Sequence, residues 1–164
     1  MPACLTLICG MVCAGKTTLA KKLERDNDVV RLSPDEWLLE LVTDRNDRAN
    51  LDRYRDSVER LQWRVAQDFL RRDVDVVLEA GFWRRDERIF YLSQCRAQGF
   101  TIELHYLEVA QAQLIARIGR RSLRPQAHEI PIDPQELEEW LTWLEVPTDE
   151  ETVQYDRFVL HSAS

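Results

Sequence analysis

The chain has 164 residues, 45% of them hydrophobic, enough for one full hydrophobic core and for a single domain over residues 1–164. Its 29 acidic side chains outnumber 22 basic ones, and the net charge of −7 argues against a broad nucleic-acid footprint, because polyanion binding needs clustered cations. No apolar run approaches the roughly 18 residues of a membrane span. No secretory signal is read at the start, and Cys4, Cys9, Cys13 and Cys95 have neither zinc-site spacing nor scaffold density, so a cytoplasmic protein, monomeric or homodimeric, is expected.

In chain order, Leu5–Cys9 is an apolar run broken only by Thr6, as in a strand buried on both faces of a parallel sheet. It runs into Gly10-Met11-Val12-Cys13-Ala14-Gly15-Lys16-Thr17-Thr18, a Gly-x-x-x-x-Gly-Lys-Thr loop followed by a helix expected over Thr18–Arg25. Gly10 and Gly15 give the backbone freedom to turn its N–H groups inward as an anion nest. Lys16 would then reach the β- and γ-phosphates of a nucleoside triphosphate, Thr17 would ligate Mg²⁺, and the helix N-terminus would face the same anion. Cys13 is either a small residue that fits the loop or a thiol made oxidisable by nearby positive charge.

After a turn at Asp26–Asp28, Val29–Ser33 reads as a second strand and Pro34 as the first residue of a helix through about Val42, with Asp35 and Glu36 in its first turn. Thr43–Asn50 is polar and reads as loop. Leu51–Arg72 places Leu51, Tyr54, Val58, Leu61, Val65, Phe69 and Leu70 at helical spacing, and Val74–Gly81 is a third strand. A helix over Asp86–Gln98 ends at Gly99; Phe100–Leu107 alternates as a fourth strand, and Ala110–Arg121 is the next helix. Three prolines make Arg124–Pro134 irregular, Pro134–Leu144 is helical, Val146–Glu150 is loop, and Arg157–His161 reads as a last short strand. Strands alternating with helices imply a three-layer α/β/α domain on a parallel sheet of about five strands. Ligands in such sheets gather beyond the carboxyl ends of the strands, which would bring Gly10–Thr17, Asp35, Glu79 and Arg84 to one cleft.

Within that cleft Asp35 could accept the proton of an attacking hydroxyl, or simply favour the helix dipole. Glu79 ends an apolar strand in the manner of a Walker-B acid and could hold Mg²⁺ directly, through water, or touch the acceptor. One of Arg84, Arg85 and Arg88 could hold acceptor or phosphate, and spacing does not say which. Arg117 and Arg121 lie four apart on one helical face, beside a segment (about 117–134) able to close as a lid and bring guanidinium groups to a transferring phosphate. Of the tryptophans, Trp37, Trp63, Trp140 and Trp143 read as core, and Trp83 as a wall of an acceptor pocket. His105 and His128 have no partner at a spacing that would make a triad or a metal site.

These residues together resemble the small P-loop kinases that include the polynucleotide 5′-kinase domain, chloramphenicol phosphotransferase and the zeta-toxin group. The resemblance rests on Gly10–Thr18, Ser33-Pro34-Asp35-Glu36-Trp37, Val76–Trp83, Arg117–Arg121 and the 145–151 segment. It implies an adenylate-kinase-like sheet order 2-3-1-4-5, ATP on the loop, Asp35 as general base, Arg117 and Arg121 serving the lid, and Pro147 near the adenine. Met11-Val12-Cys13-Ala14 departs from the Gly-, Pro- or Ser-richer loops of many relatives. The function expected is ATP- and Mg²⁺-dependent phosphorylation of a hydroxyl on a small molecule, with Glu79, Trp83 and Arg84 near the acceptor. The rivals are a nucleotide or polynucleotide 5′-hydroxyl kinase, and an ATP-dependent switch acting through a partner.

Overall fold

The computed structural model describes residues 1–163. Five strands, β1 (Cys4–Gly10), β2 (Val29–Leu32), β3 (Asp75–Gly81), β4 (Thr101–Glu108) and β5 (Arg157–Ser162), form one sheet in the order β2-β3-β1-β4-β5. Every neighbouring pair is parallel. The apolar run of β1 is explained by its place in the middle. Leu5 sits opposite Val76 and Ile102, Leu7 opposite Leu78 and Leu104, and none of Leu5, Leu7, Ile8 and Cys9 reaches solvent.

The helices divide between the two faces. On one, α3 (Arg48–Leu70) and α4 (Arg85–Gln98) press Trp63, Ala66, Leu70, Leu92 and Cys95 onto Leu5, Leu7 and Cys9. On the other, α1 (Lys16–Asp26), α5 (Gln111–Leu123) and α6 (Pro134–Trp143) place Ala20, Leu114, Ile118 and Leu137 against Ile8 and Val77. A satellite cluster joins α2 (Pro34–Leu41) to α3 through Leu38, Val42, Leu51 and Val58, and recruits Ile130 from the proline-bearing segment.

Several boundaries differ from the sequence reading. α1 begins at Lys16, so Lys16 and Thr17 belong to its first turn rather than to the preceding loop. α2 stops at Leu41, with Val42 as its extended C-cap. α3 starts three residues before Leu51 because Asp47 caps it, its carboxylate accepting from the Asn50 N–H at 3.2 Å. Part of the expected 146–150 loop is a short helix, α7 (Asp149–Thr152), capped by the Thr148 hydroxyl.

α7 is fixed by a buried ion pair. Arg88 Nε donates to Glu151 Oε1 at 2.6 Å and Nη2 to Oε2 at 2.9 Å, while Nη1 donates to the carbonyls of Phe82 and Trp83. Neither side chain reaches solvent. Arg88 is therefore withdrawn from the arginines that could hold a ligand: its donors are spent inside the protein, joining α4, α7 and the end of β3.

Breaking that pair leaves a charge buried and uncompensated. Arg88→Ala is expected to cost about 3–5 kcal/mol of unfolding free energy in urea titrations. The double change Arg88→Leu/Glu151→Leu is expected to lie closer to wild type than either single change, since it removes both charges.

Candidate active site

All five strands point their carboxyl ends to one edge, and a cleft of about 1050 Å³ opens there. Its floor is the loop between β1 and α1. Cys13 (φ 59°) and Gly15 (φ 103°) both adopt left-handed backbone and curl the loop on itself, with Ala14 N–H returning to the Met11 carbonyl at 3.1 Å. A Cβ on Gly10 would stand 3.3 Å from the Cβ atoms of Ala14 and Leu107, a tight fit that a residue without one avoids. Val12, Cys13, Gly15, Lys16, Thr17 and Thr18 face the cleft. Gly10, Met11 and Ala14 are buried beneath it.

Lys16 Nζ spans the loop, donating to the carbonyls of Gly10 at 3.0 Å and Met11 at 2.7 Å. Burial holds its ammonium below the usual lysine range, against the pull of the Asp35 carboxylate. Both partners are neutral carbonyls, which an anionic phosphate oxygen would outcompete for the ammonium. The Thr17 hydroxyl donates to Glu79 Oε1 at 3.4 Å.

Glu79 is held by a residue the sequence reading passed over. Arg31, in β2, donates from Nη1 to Glu79 Oε1 at 3.2 Å, from Nη2 to both oxygens of Glu36 at 2.9 and 3.1 Å, and from Nε to Glu24 at 3.2 Å. Burial pushes the Glu79 carboxyl up, against the pull of Ser33 and Arg31. Its other oxygen, Oε2, is buried without a hydrogen-bond partner. An orphaned acidic oxygen beside a threonine hydroxyl, at a helix N-terminus shaped for phosphate, fits a hard cation that keeps most of its own waters.

The same guanidinium distinguishes the two acids of α2. Both line the cleft, but Glu36 is engaged by Arg31, whereas Asp35 is met by Arg55 of α3, whose Nη1 lies 3.1 Å from Oδ1. From α5, Arg117 Nη1 donates to the Cys13 carbonyl at 3.1 Å. Arg121 reaches the Ile130 carbonyl at 2.7 Å, Glu129 at 3.2 Å and the Cys13 sulfur at 3.6 Å. Arg117 and Arg121 both line the cleft; Arg120 and Arg124 are exposed outside it. The irregular segment and the start of α6 are tied to the start of α3 and the loop before it, since Arg45 donates to the Gln126 carbonyl and Arg48 to the Pro131 carbonyl and Glu136.

Trp83 lines the cleft, and its indole N–H donates to the Gly10 carbonyl at 2.9 Å. Trp140 and Trp143, read from sequence as core, stand beside it in the same wall, with ring centroids 5.8 and 6.4 Å from that of Trp83. Arg84 reaches the rim, but its guanidinium is bound to Asp86 at 3.1 and 3.2 Å. Pro147 is not among the residues lining the cleft. The segment before it is tied to the end of β3, with Glu145 N–H donating to the Trp83 carbonyl at 2.8 Å. Glu59 of α3 also faces the cleft, and burial together with the carboxylates of Glu87, Asp56 and Asp35 pushes its pKa up to about 7.

A family model described as an AAA domain matches residues 5–147. Among solved structures, a candidate kinase from Chloroflexus aurantiacus superposes with a TM-score of 0.78 at 17% identity, covering 98% of this chain and 85% of that one. Kti12 of Chaetomium thermophilum, solved with ADP-AlF3, gives 0.69 at 16% identity, covering 96% and 88%. A gluconokinase from Sinorhizobium meliloti gives 0.65 at 17%, covering 99% and 83%. At these identities the likeness shows the fold. No curated protein matches by sequence.

The raised Glu59 pKa has a stability consequence. A folded value near 7 against an ordinary 4.5 favours the folded protein below about pH 4.5, and that advantage is lost as pH rises through 7. Glu59→Gln is therefore expected to raise unfolding free energy at pH 8 by about 1–3 kcal/mol and to change it little at pH 4.5, read from urea titrations at the two pH values.

Proposed function

The chain belongs to the AAA domain family of P-loop kinases, and on that premise we propose that it transfers the γ-phosphoryl group of ATP, with Mg²⁺, to a hydroxyl of a small molecule. The observation that carries the reading is the meeting, in one cleft, of a lysine-bearing phosphate loop, an acid on the facing helix and two arginines above the loop. A cytoplasmic site of action, and one domain over residues 1–164 working as a monomer or homodimer, go with this reading.

In the reaction, Lys16 exchanges its two carbonyl partners for phosphate oxygens, and the inward N–H groups of residues 13–18 take the rest of the triphosphate. Thr17 and Glu79 would hold Mg²⁺, which would supply positive charge against the phosphate oxygens. Asp35 is the base: it receives the acceptor's hydroxyl proton as that oxygen forms its bond to phosphorus and the bond to the ADP oxygen breaks. Arg55 aims the Asp35 carboxylate across the cleft. Arg117 and Arg121, already over the loop, supply positive charge where the transferring group becomes most negative. The segment pinned by Arg45 and Arg48 limits water, so that the acceptor hydroxyl and not water is phosphorylated.

Incubating a metabolite extract and a panel of hydroxyl-bearing antibiotics and nucleosides with ATP and Mg²⁺ is expected to yield a species one phosphate heavier by mass spectrometry. Lys16→Ala is expected to give none. With that acceptor, Asp35→Asn is expected to lower kcat by about 10²–10⁴-fold while nucleotide affinity, measured by calorimetry, is kept. ADP and free phosphate as the only products across the panel would turn the reading toward an ATP-dependent switch.

A further inference from the structure

The two carbonyls that Lys16 holds are each held twice. The Gly10 carbonyl accepts from Lys16 Nζ at 3.0 Å and from the Trp83 indole N–H at 2.9 Å. The Met11 carbonyl accepts from Lys16 Nζ at 2.7 Å and from the Ala14 N–H at 3.1 Å. Gly10 and Met11 are buried, and a buried carbonyl stripped of its donors costs free energy comparable to a lost hydrogen bond. Ala14 belongs to the loop itself, whereas Trp83 reaches in from beyond β3, 73 positions away.

The turn that delivers Trp83 is strained and clamped. Phe82, the residue before it, adopts left-handed backbone at φ 51°, a conformation that a bulky residue keeps only where its surroundings enforce it. Its carbonyl accepts from Arg88 Nη1 at 2.9 Å and from Cys9 Sγ at 3.3 Å. The Trp83 carbonyl accepts from Arg88 Nη1 at 3.2 Å and from the Glu145 N–H at 2.8 Å. Glu151 locks Arg88 in turn, so the buried ion pair ends on the two peptide groups that aim the indole. An indole lining an open cleft can give its N–H to water, and this one is turned inward to the loop instead.

We propose that Trp83 is a positioning residue for nucleotide binding as well as a wall of the cleft. Its N–H keeps the Gly10 carbonyl satisfied when Lys16 moves to phosphate, as the Ala14 N–H keeps that of Met11, so the lysine is released with neither carbonyl orphaned. The proposal rests on the phosphotransferase reading. Phenylalanine at position 83 would keep a ring and lose the donor. In the free protein Lys16 would still cover the Gly10 carbonyl, and the change would cost little. In the loaded protein either that carbonyl is left bare or Lys16 stays behind on it and gives the phosphates less of its charge. Both outcomes weaken binding.

The test is calorimetric binding of a non-hydrolysable ATP analogue, with Mg²⁺, to the full chain. Trp83→Phe is expected to weaken binding about five- to fifty-fold. In a Lys16→Ala background the same change is expected to alter affinity by less than about twofold, because no lysine leaves the carbonyl there. A merely structural role for the ring would weaken binding equally in both backgrounds. In the wild-type chain the Trp83 indole proton is expected to resist exchange with solvent, by nuclear magnetic resonance, both before and after the analogue binds, a readout that needs no variant. Wild-type affinity in Trp83→Phe overturns the proposal. So do equal losses in the two backgrounds, or rapid exchange of the indole proton in the loaded protein. A wild-type chain that does not take the analogue at all overturns the phosphotransferase reading instead.

Discussion

Everything at this site depends on the parallel alignment of five strands. A parallel sheet sends every carboxyl end to the same edge, so a loop after β1, an acid after β2 and an acid at the end of β3 meet there although Gly10 and Glu79 lie 69 positions apart. Parallel pairing also requires a long crossover between strands, and the helices that make those crossovers bury both faces of the sheet. The apolar interior of β1 and the polar loop that follows it are thus two consequences of one arrangement. The strand is dry because it is central, and the loop is available because the central strand must end at the open edge.

One side chain converts that topology into a defined electrostatic geometry. Arg31 lies in β2, next to β3, and its three nitrogens hold acids from α1, α2 and β3 at once. Its fork fixes Glu79 beside Thr17 and removes Glu36 from competition with Asp35. A lysine in its place could not satisfy three acids in one plane. Arg88 does for the framework what Arg31 does for the site. Both are arginines whose charge is spent on protein partners, which is why a count of basic residues near the cleft overstates how many remain for a ligand.

Much of this was legible in the sequence and some was not, for reasons that differ by residue. The loop could be read because its chemistry is local: glycines, a lysine and a threonine within eight positions, between an apolar run and a helix. The strand and helix order followed from periodicity, and Trp83 was placed by its position after β3. Arg55 could not be found, because an arginine on the polar face of a long helix looks the same whether that face meets solvent or a cleft. Trp143 failed for the converse reason, since aromatic residues at helical spacing look like core even when they wall a cavity, whereas Trp140 does both, packing on the core around Ile8 and Val77 while it lines the cleft. Arg88 and Glu151 lie 63 residues apart, and nothing local marks either as buried. Arg31 did carry a signal, a lone charge among the valines and leucine of β2, which in a covered sheet needs a buried partner.

Three of the five tryptophans stand together against the phosphate loop, and the Trp83 indole shares the Gly10 carbonyl with the Lys16 ammonium. An anion that drew Lys16 off that carbonyl would leave the indole holding it alone, in an altered local field and beside two neighbouring rings able to exchange excitation with it. The chain therefore contains its own optical reporter. A change at the bottom of the cleft would then register as a change in ultraviolet emission, without an attached dye.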